Sequence, residues 1–574
     1  MTTPSDRVWA RIASLLPGRA DLAAVRCAPR RDLLAGLTVA VVALPLALGF
    51  GVSSGLGAEA GLATAVVAGA LAAVFGGSDL QVSGPTGAMT VVLVPIVGRY
   101  GPTGVLTVGL MAGVMLVGLA ALRAGKYMRY LPAPVVEGFT LGIACVIGLQ
   151  QIPNALGVPK PDGDRVLVVT WRAVEEFTKH PNWTAVGFAV AVAAVMLLCA
   201  RWRPTVPSSI VAVIAATIVA RSAHLDAAKP IGDLPAGLPA PSLSFLDPGA
   251  LDTLLAPAVA VAALAALESL LSASVADGMT VGRRHDPDRE LFGQGLANIA
   301  APLFGGVPAT GAIARTAVNV RTGAGSRLAA LTHAAVLAVI VFAAAPLVSK
   351  IPLAALAGVL LATAIRMVEV GSLRAMMKAT RSDTLILGLT AMATLALDLV
   401  YAVIIGLLVA GALALRAVAK QARFDQVPLD HGDHSAEEQA LLAEHIVAYR
   451  IDGPVFFAAA HRFLLELTGV ADVRVVVLRM SRVSMMDATG ALMLKDAVEK
   501  LRRRGIVVIA SGIRPGQRQV LESVGALELL RHEGGEYATT PEAICAARDH
   551  LEATGLLSAL PARKPPTSSE EALR

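Results

Sequence analysis

Long apolar runs parted by short polar breaks fill the chain from about residue 33 to residue 419, and several approach the ~20 residues that cross a bilayer as a helix. They lie near 33 to 50, 60 to 75, 103 to 122, 134 to 150, 182 to 200 and 206 to 221, then near 253 to 274, 289 to 304, 328 to 348, 352 to 367, 382 to 396 and 398 to 419. Two shorter apolar stretches, near 86 to 98 and 310 to 320, each begin at a Gly/Pro-rich break. The pattern predicts fourteen membrane elements, with residues 382 to 419 readable as two short helices or one bent one.

After about residue 440 the pattern becomes short β runs alternating with helical ones. Ile446 to Arg450, Val473 to Leu478 and Ile506 to Ala510 read as strands, and Ala488 to Arg503 and Arg518 to Ser523 as helix. The predicted organisation is a polar N-terminal segment 1–32, a membrane domain 33–420, a small α/β domain 440–552 and a tail 556–574. That tail, with Pro565, Pro566, Ser568 and Ser569, reads as disordered.

Composition agrees with a membrane domain. Hydrophobic residues make up 55% and charged residues 16%, where a soluble chain carries about 25% charge. The mean hydropathy is +0.66, and no water-soluble core could hide so much apolar surface. The net charge of +6 sits in arginine clusters between apolar runs, not on one basic face, which argues against nucleic-acid binding. Cys27, Cys145, Cys199 and Cys545 are scattered without metal-site or disulfide spacing and read as free thiols.

The clusters report topology, because cytoplasmic loops collect Lys and Arg. Arg30 and Arg31 precede element 1. Arg123, Lys126 and Arg129 follow element 4, and Arg201 and Arg203 follow element 6. Arg283, Arg284 and Arg289 follow element 8, Arg321 and Arg327 element 10, Arg374, Lys378 and Arg381 element 12, and Arg416, Lys420 and Arg423 element 14. Clusters after even-numbered elements put both termini in the cytoplasm. Six arginines precede residue 32, and no small-residue cleavage site follows the first apolar run, so that run is expected to be retained.

The two breaks echo each other: Phe75-Gly76-Gly77 then Pro85-Thr86-Gly87-Ala88, and Phe304-Gly305-Gly306 then Ala309-Thr310-Gly311-Ala312. They fall seven elements apart, so the halves would be oppositely oriented, as in an inverted repeat, and such paired interruptions point to a transporter's substrate site. Each break would start a half-helix whose first N–H groups lack intrahelical partners. Two such positive ends face an anion well. The extended Leu80-Gln81-Val82-Ser83 before Gly84 would have to be buried or line a cavity. The alternative is that the glycines merely permit close helix packing.

Ionisable groups inside membranes are functional candidates by default. Glu268 is the only carboxylate deep in a predicted span, and Arg315, one turn into the second half-helix, is the comparable cation. Arg315 would add positive charge for the anion and Glu268 would bind a coupling cation; the alternative is a structural ion pair between them. Asp277, Glu137, Glu369 and Asp398 lie near span ends, where solvated or interfacial roles are expected, and His285 reads as a solvated loop residue.

Three stretches then resemble the SulP (sulfate permease) anion-transporter family. They are Ala35-Gly36-Leu37-Thr38 leading to Leu44-Pro45-Leu46-Ala47, Gln81-Val82-Ser83-Gly84-Pro85-Thr86-Gly87, and Arg289-Glu290-Leu291-Phe292-Gly293-Gln294-Gly295-Leu296-Ala297-Asn298. The resemblance covers about residues 30 to 550. It implies a polytopic α-helical fold of fourteen segments as 7+7 inverted repeats, with core and gate domains, usually dimeric. It places the anion between elements 3 and 10, with Ser83, Thr86, Gly87 and Ala88 on one side and Thr310, Gly311, Ala312 and Arg315 on the other. Leu46 and Phe50 of element 1 would close the pocket. In sodium-driven bicarbonate carriers of the family, an Asp followed four residues later by Thr helps bind sodium. Here the matching positions are Glu268 and Ser272, a departure that resembles proton symporters, so a proton is the expected coupling ion, with sodium as the alternative.

Met486-Asp487-Ala488-Thr489-Gly490 resembles the strand-to-helix turn of STAS domains. In some relatives that turn carries a phosphorylated hydroxyl, for which Thr489 is available; otherwise Asp487 and Thr489 simply cap the helix. The expected protein is a non-enzymatic, secondary active transporter in the plasma membrane of a bacterium, without cofactor or metal. Its substrate would be sulfate or bicarbonate, with a dicarboxylate as a further option. An uncoupled channel or a sensor acting through the STAS domain is the competing class. No phosphate loop of the GxxxxGK[ST] type is present for ATP drive.

Overall fold

The computed structural model describes residues 15–555 except 131, 162, 164, 203–206, 224–228, 233, 235, 236, 282, 283, 398, 422, 428–443, 457–472 and 534. The expectations for Arg203, Arg283, Asp398 and the tail 556–574 lie outside the described residues.

Among the described residues the apolar stretches are helical, apart from the starts of the two short ones. The chain enters through a short polar helix, α1 (Arg19–Cys27). It continues with α2 (Pro29–Ser54), α3 (Ala58–Phe75), α4 (Gly87–Ala121), α5 (Ala133–Leu156), α6 (Val166–Lys179), α7 (Trp183–Trp202) and α8 (Ser208–Ser222). Then come α9 (Leu251–Gly278), α10 (Pro287–Leu303), α11 (Ile313–Arg321), α12 (Leu328–Val348), α13 (Leu353–Met367), α14 (Val370–Ala379), α15 (Arg381–Ala396) and α16 (Leu399–Gln421). Among the described residues, nine helices are long and apolar enough to cross a membrane, by length and composition alone.

Two breaks between successive helices have local causes. Elements 3 and 4 are the two helical halves of α4, which meet at a kink at Gly101, whose φ of 69° sits just before Pro102. The glycine turns the backbone where proline removes a helix donor. Residues 382 to 419, ambiguous in sequence, form two helices, α15 and α16, separated at Leu397, which is extended.

Two short strands interrupt the bundle: β1 (Ser83–Gly84) and β2 (Thr310–Gly311). They pair antiparallel, Ser83 with Gly311 and Gly84 with Thr310. The extended residues before Gly84 are buried in protein, Leu80 at 4% and Val82 at 1% exposure. Their backbone groups are thereby satisfied away from lipid.

The chain divides into two units, 1–410 and 411–574. The second unit is an α/β fold with the strand order β3 (Arg423–Val427), β4 (Ile446–Val455), β5 (Val475–Arg479), β7 (Val507–Ser511) and β8 (Glu536–Tyr537). β6 (Val483–Met486) pairs with β4 off this path. Only the β3–β4 pair is antiparallel. Alternation along β5 sends Val476 and Leu478 against α17 (Ala488–Arg503), α18 (Pro515–Ser523) and α19 (Ala526–Glu533). Val475 and Val477 pack on the other face with α20 (Thr540–Ala553). The strands and helices expected from sequence are all present; β4 runs on to Val455 and α18 begins at Pro515, while the other ends agree within about two residues.

Candidate functional site

The site begins where the two half-helices start. Thr86 is the N-cap of α4: its hydroxyl accepts from the Met89 N–H at 3.4 Å. Ala312 caps α11 with no side-chain bond, and its N–H is spent on the Val82 carbonyl at 2.9 Å. The N–H groups of Gly87, Ala88, Ile313 and Ala314 form no hydrogen bond within the described residues, so both starts keep the donors that attract anions.

β1 and β2 bring these starts together. The Thr310 and Thr86 hydroxyl oxygens are 3.1 Å apart. Both threonines donate to Glu268 Oε2 of α9, at 2.8 Å from Thr86 and 2.6 Å from Thr310. Glu268 is half-buried, while Thr86 is 8% and Thr310 0% exposed. The carboxylate occupies the hydroxyl donors expected to face the anion.

Arg315 is fully buried behind this point. Its Nη2 donates to the Pro85 carbonyl at 2.5 Å, while Nη1 has no partner within the described residues. It forms no ion pair with Glu268 there, so the sequence alternative of a structural salt bridge is not what the side chains make; the carboxylate's hydrogen bonds go to threonines. Gly84, at φ +153°, lies so close that a Cβ would fall 2.7 Å from Arg315 Nη1.

Phe50 of α2 reaches the first half-helix as expected: a Cβ on Gly87 would meet its ring at 3.1 Å. Ile147 of α5 closes against the same glycine, a contact absent from the sequence reading. Ser83 accepts from Gln294 Nε2 at 2.5 Å, so its hydroxyl is bound to scaffold. Ser272 is likewise engaged, 2.9 Å from the Thr316 hydroxyl, which accepts from the Val82 N–H. Its neighbour Ser269 accepts from the Gly311 N–H at 3.0 Å.

The residues that sequence reasoning passed over are Glu290, Gln294 and Asn298, spaced by four on one face of α10. Glu290 Oε2 accepts from the N–H groups of Gly77 (2.8 Å) and Ser78 (3.2 Å), and Oε1 from Gln81 (2.9 Å) and Gln294 (3.0 Å). Asn298 donates to the Ala309 carbonyl and accepts from its N–H, at 2.9 and 2.8 Å. One helix face therefore fixes both breaks, aided by Thr64, which donates to the Val307 carbonyl at 2.9 Å. The available signal was the four-residue spacing of buried-type amides and a carboxylate within an apolar run.

His285 corrects the expectation of a solvated loop residue. Its ring is 13% exposed and Nδ1 lies 2.7 Å from Asp277 Oδ2, because the loop folds back over the end of α9. In the second unit, Asp487 Oδ1 accepts from the Gly490 N–H at 2.7 Å and caps α17, while Thr489 is exposed. The apolar crevice lined by Leu62, Leu238, Ile340 and Val348 contains none of the half-helix residues. The four cysteines are free thiols.

The pattern of the sulfate permease family matches residues 30–390, and that of the STAS domain residues 439–542. A putative sulfate transporter, YvdB of Bacillus subtilis (strain 168), is 35% identical over 86% of this chain and 94% of its own. The bicarbonate transporter BicA of Picosynechococcus sp. is 30% identical over 86% of this chain and 90% of its own. The structure of murine Slc26a9, an anion transporter, matches 94% of this chain and 95% of its own with a TM-score of 0.80 at 16% identity, a likeness of fold.

Proposed function

The chain belongs to the sulfate permease family, and on that premise we propose that it is a secondary active, proton-coupled carrier of an inorganic oxyanion, sulfate or bicarbonate. It is a multi-pass membrane protein of transporter kin, and its relatives are named as transporters of those two anions. The anion sits between the starts of α4 and α11, where unpaired N–H groups, the Thr86 and Thr310 hydroxyls and the Arg315 charge converge.

The observation that carries this reading is that one oxygen of Glu268 accepts from both threonines. When ionised, the carboxylate competes with the anion for those two donors and repels it. A proton on Glu268 removes the charge and weakens its claim on the hydroxyls, which are then free to turn to the anion. Proton and anion thus favour each other's binding, and such coupling is reciprocal. The Glu268 and Ser272 pair, in place of the Asp and Thr of sodium-driven relatives, supports the proton over sodium. Fourteen crossings, an inverted repeat about the β1–β2 pair, cytoplasmic termini and a homodimer complete the proposal. So do a membrane domain bounded by 33–420 and a regulatory STAS domain bounded by 440–552.

The test is uptake of labelled sulfate, and separately bicarbonate, into proteoliposomes under an imposed proton or sodium gradient. An inward proton gradient should drive accumulation in the wild type, and Glu268→Gln should lose the gradient response while still exchanging anion. Sodium-driven uptake, or conduction indifferent to both gradients, would overturn proton coupling.

A further inference from the structure

Helix α14 lies between α13 and α15, and none of its ten residues is buried. At 100° per residue, Val370, Leu373 and Met377 form an apolar strip, of which Val370 is 50% and Met377 51% exposed. Arg374 and Lys378 rise beside it at a spacing of four, Arg381 opens α15 just after the extended Thr380, and all three are exposed. Their charges form no ion pair within the described residues. The opposite side is pinned, because Ser372 donates to Glu137 of α5 at 2.7 Å. The strip, Arg374 and Lys378 therefore face away from the bundle.

The end of the membrane unit that carries α14 is defined by contacts. Glu137 lies one turn into α5, and the 3₁₀ segment Ala124–Tyr130 precedes that helix. Gly125 of this segment donates to Asp288 at the start of α10. Arg289 beside it pairs with Asp21, as does Arg327. This end gathers Arg123, Lys126, Arg289, Arg327 and the α14 cations, which marks it as cytoplasmic under the positive-inside rule.

We propose that α14 is an interfacial helix that binds anionic phospholipid of the inner leaflet. The apolar strip sits at the acyl boundary, and Arg374, Lys378 and Arg381 hold headgroup phosphates, with their aliphatic stems covering the apolar strip's edge. Cytoplasmic-leaflet lipids supply the complementary negative charge. The choice of leaflet rests on the cytoplasmic assignment of this end, whereas the lipid contact rests on exposure and charge and is independent of the transported anion.

The experiment places full-length protein carrying Val370→Trp in nanodiscs that contain brominated phosphatidylglycerol or, at equal mole fraction, brominated phosphatidylcholine. The added fluorescence is obtained by difference from the parent. Phosphatidylglycerol should quench it preferentially. That preference should fall about fivefold for each neutralised cation in Arg374→Gln, Lys378→Gln and Arg381→Gln. For the unaltered cations, salt at about 0.5 M should erase it, which needs no further variant. Equal quenching by both lipids, or a preference untouched by salt and substitutions, overturns the proposal. Absence of quenching by either lipid would do so too, since the C-terminal domain or a second copy would then cover the helix.

Discussion

Thr86 and Thr310, 224 positions apart in sequence, hold their hydroxyl oxygens 3.1 Å apart. Both spend their protons on the same oxygen of Glu268. Two half-helix starts and one carboxylate therefore form a single unit, in which the charge on α9 governs the donors on α4 and α11.

Removing one hydroxyl should weaken anion binding without abolishing the fold. A hydrogen bond to a charged group is worth about 1.5–3 kcal/mol. Thr310→Val is accordingly expected to raise the KM for anion by roughly tenfold to a hundredfold, while Thr310→Ser stays near wild type. Initial-rate uptake at varied anion concentration measures this, and a Thr310→Val protein with unchanged KM would place the anion elsewhere.

Glu290→Gln should destabilise the membrane unit more than it alters substrate affinity. The carboxylate, 1% exposed, receives four N–H donors, and an amide turns one acceptor into a donor facing other donors. The expected cost is about 3 kcal/mol, seen as a lower melting temperature of the detergent-solubilised protein. A melting point within a degree or so of wild type would show that the network is dispensable.

Gly84→Ala is expected to abolish transport. At φ +153° the backbone favours glycine, and the new methyl would press against Arg315 Nη1 at 2.7 Å. The guanidinium must then move from the Pro85 carbonyl. Loss of uptake with normal membrane insertion supports the assignment, and wild-type kinetics would contradict it.

Asp21 ties α1 to the membrane unit through Arg289 and Arg327, 2.8 and 3.2 Å away. Burial pushes its carboxyl up. The hydrogen bond from Arg289, that from the Gly18 N–H and the charges of Arg327 and Arg289 outweigh this and hold it below the ordinary carboxylate range. A depressed folded-state value means that the stabilisation is present above the unfolded carboxylate pKa, about 3.9. It is lost as pH falls through the folded value. Asp21→Asn should remove this stabilisation at neutral pH, and hydrogen exchange in residues 19–27 should speed up. Unchanged exchange would mean that other contacts hold the helix.

Much of the fold was legible along the chain. The glycines at 76, 77, 305 and 306 and the threonines at 86 and 310 announced two half-helices because backbone interruptions are local events. Glu268 and Arg315 stood out because charge is rare in an apolar run. Glu290, Gln294 and Asn298 did not, since their meaning lies in donors more than two hundred positions away or across a loop. His285 was misjudged for the same reason: the sequence places it in a polar loop, and only the fold-back of that loop gives it Asp277.

The sequence by itself determined that this is a polytopic membrane protein with two facing breaks and a separate α/β domain. Hydropathy, glycine and proline act over a few residues, so a linear reading captures them. Tertiary structure alone decided which polar groups share a proton or a partner. It set Glu268 on Thr86 and Thr310 and not on Arg315, Ser272 on Thr316, and Glu290 on the first break. Buried hydrogen-bonding groups must find partners wherever packing brings them, and β1–β2 pairing together with the packing of α9 and α10 against the half-helices sets those distances.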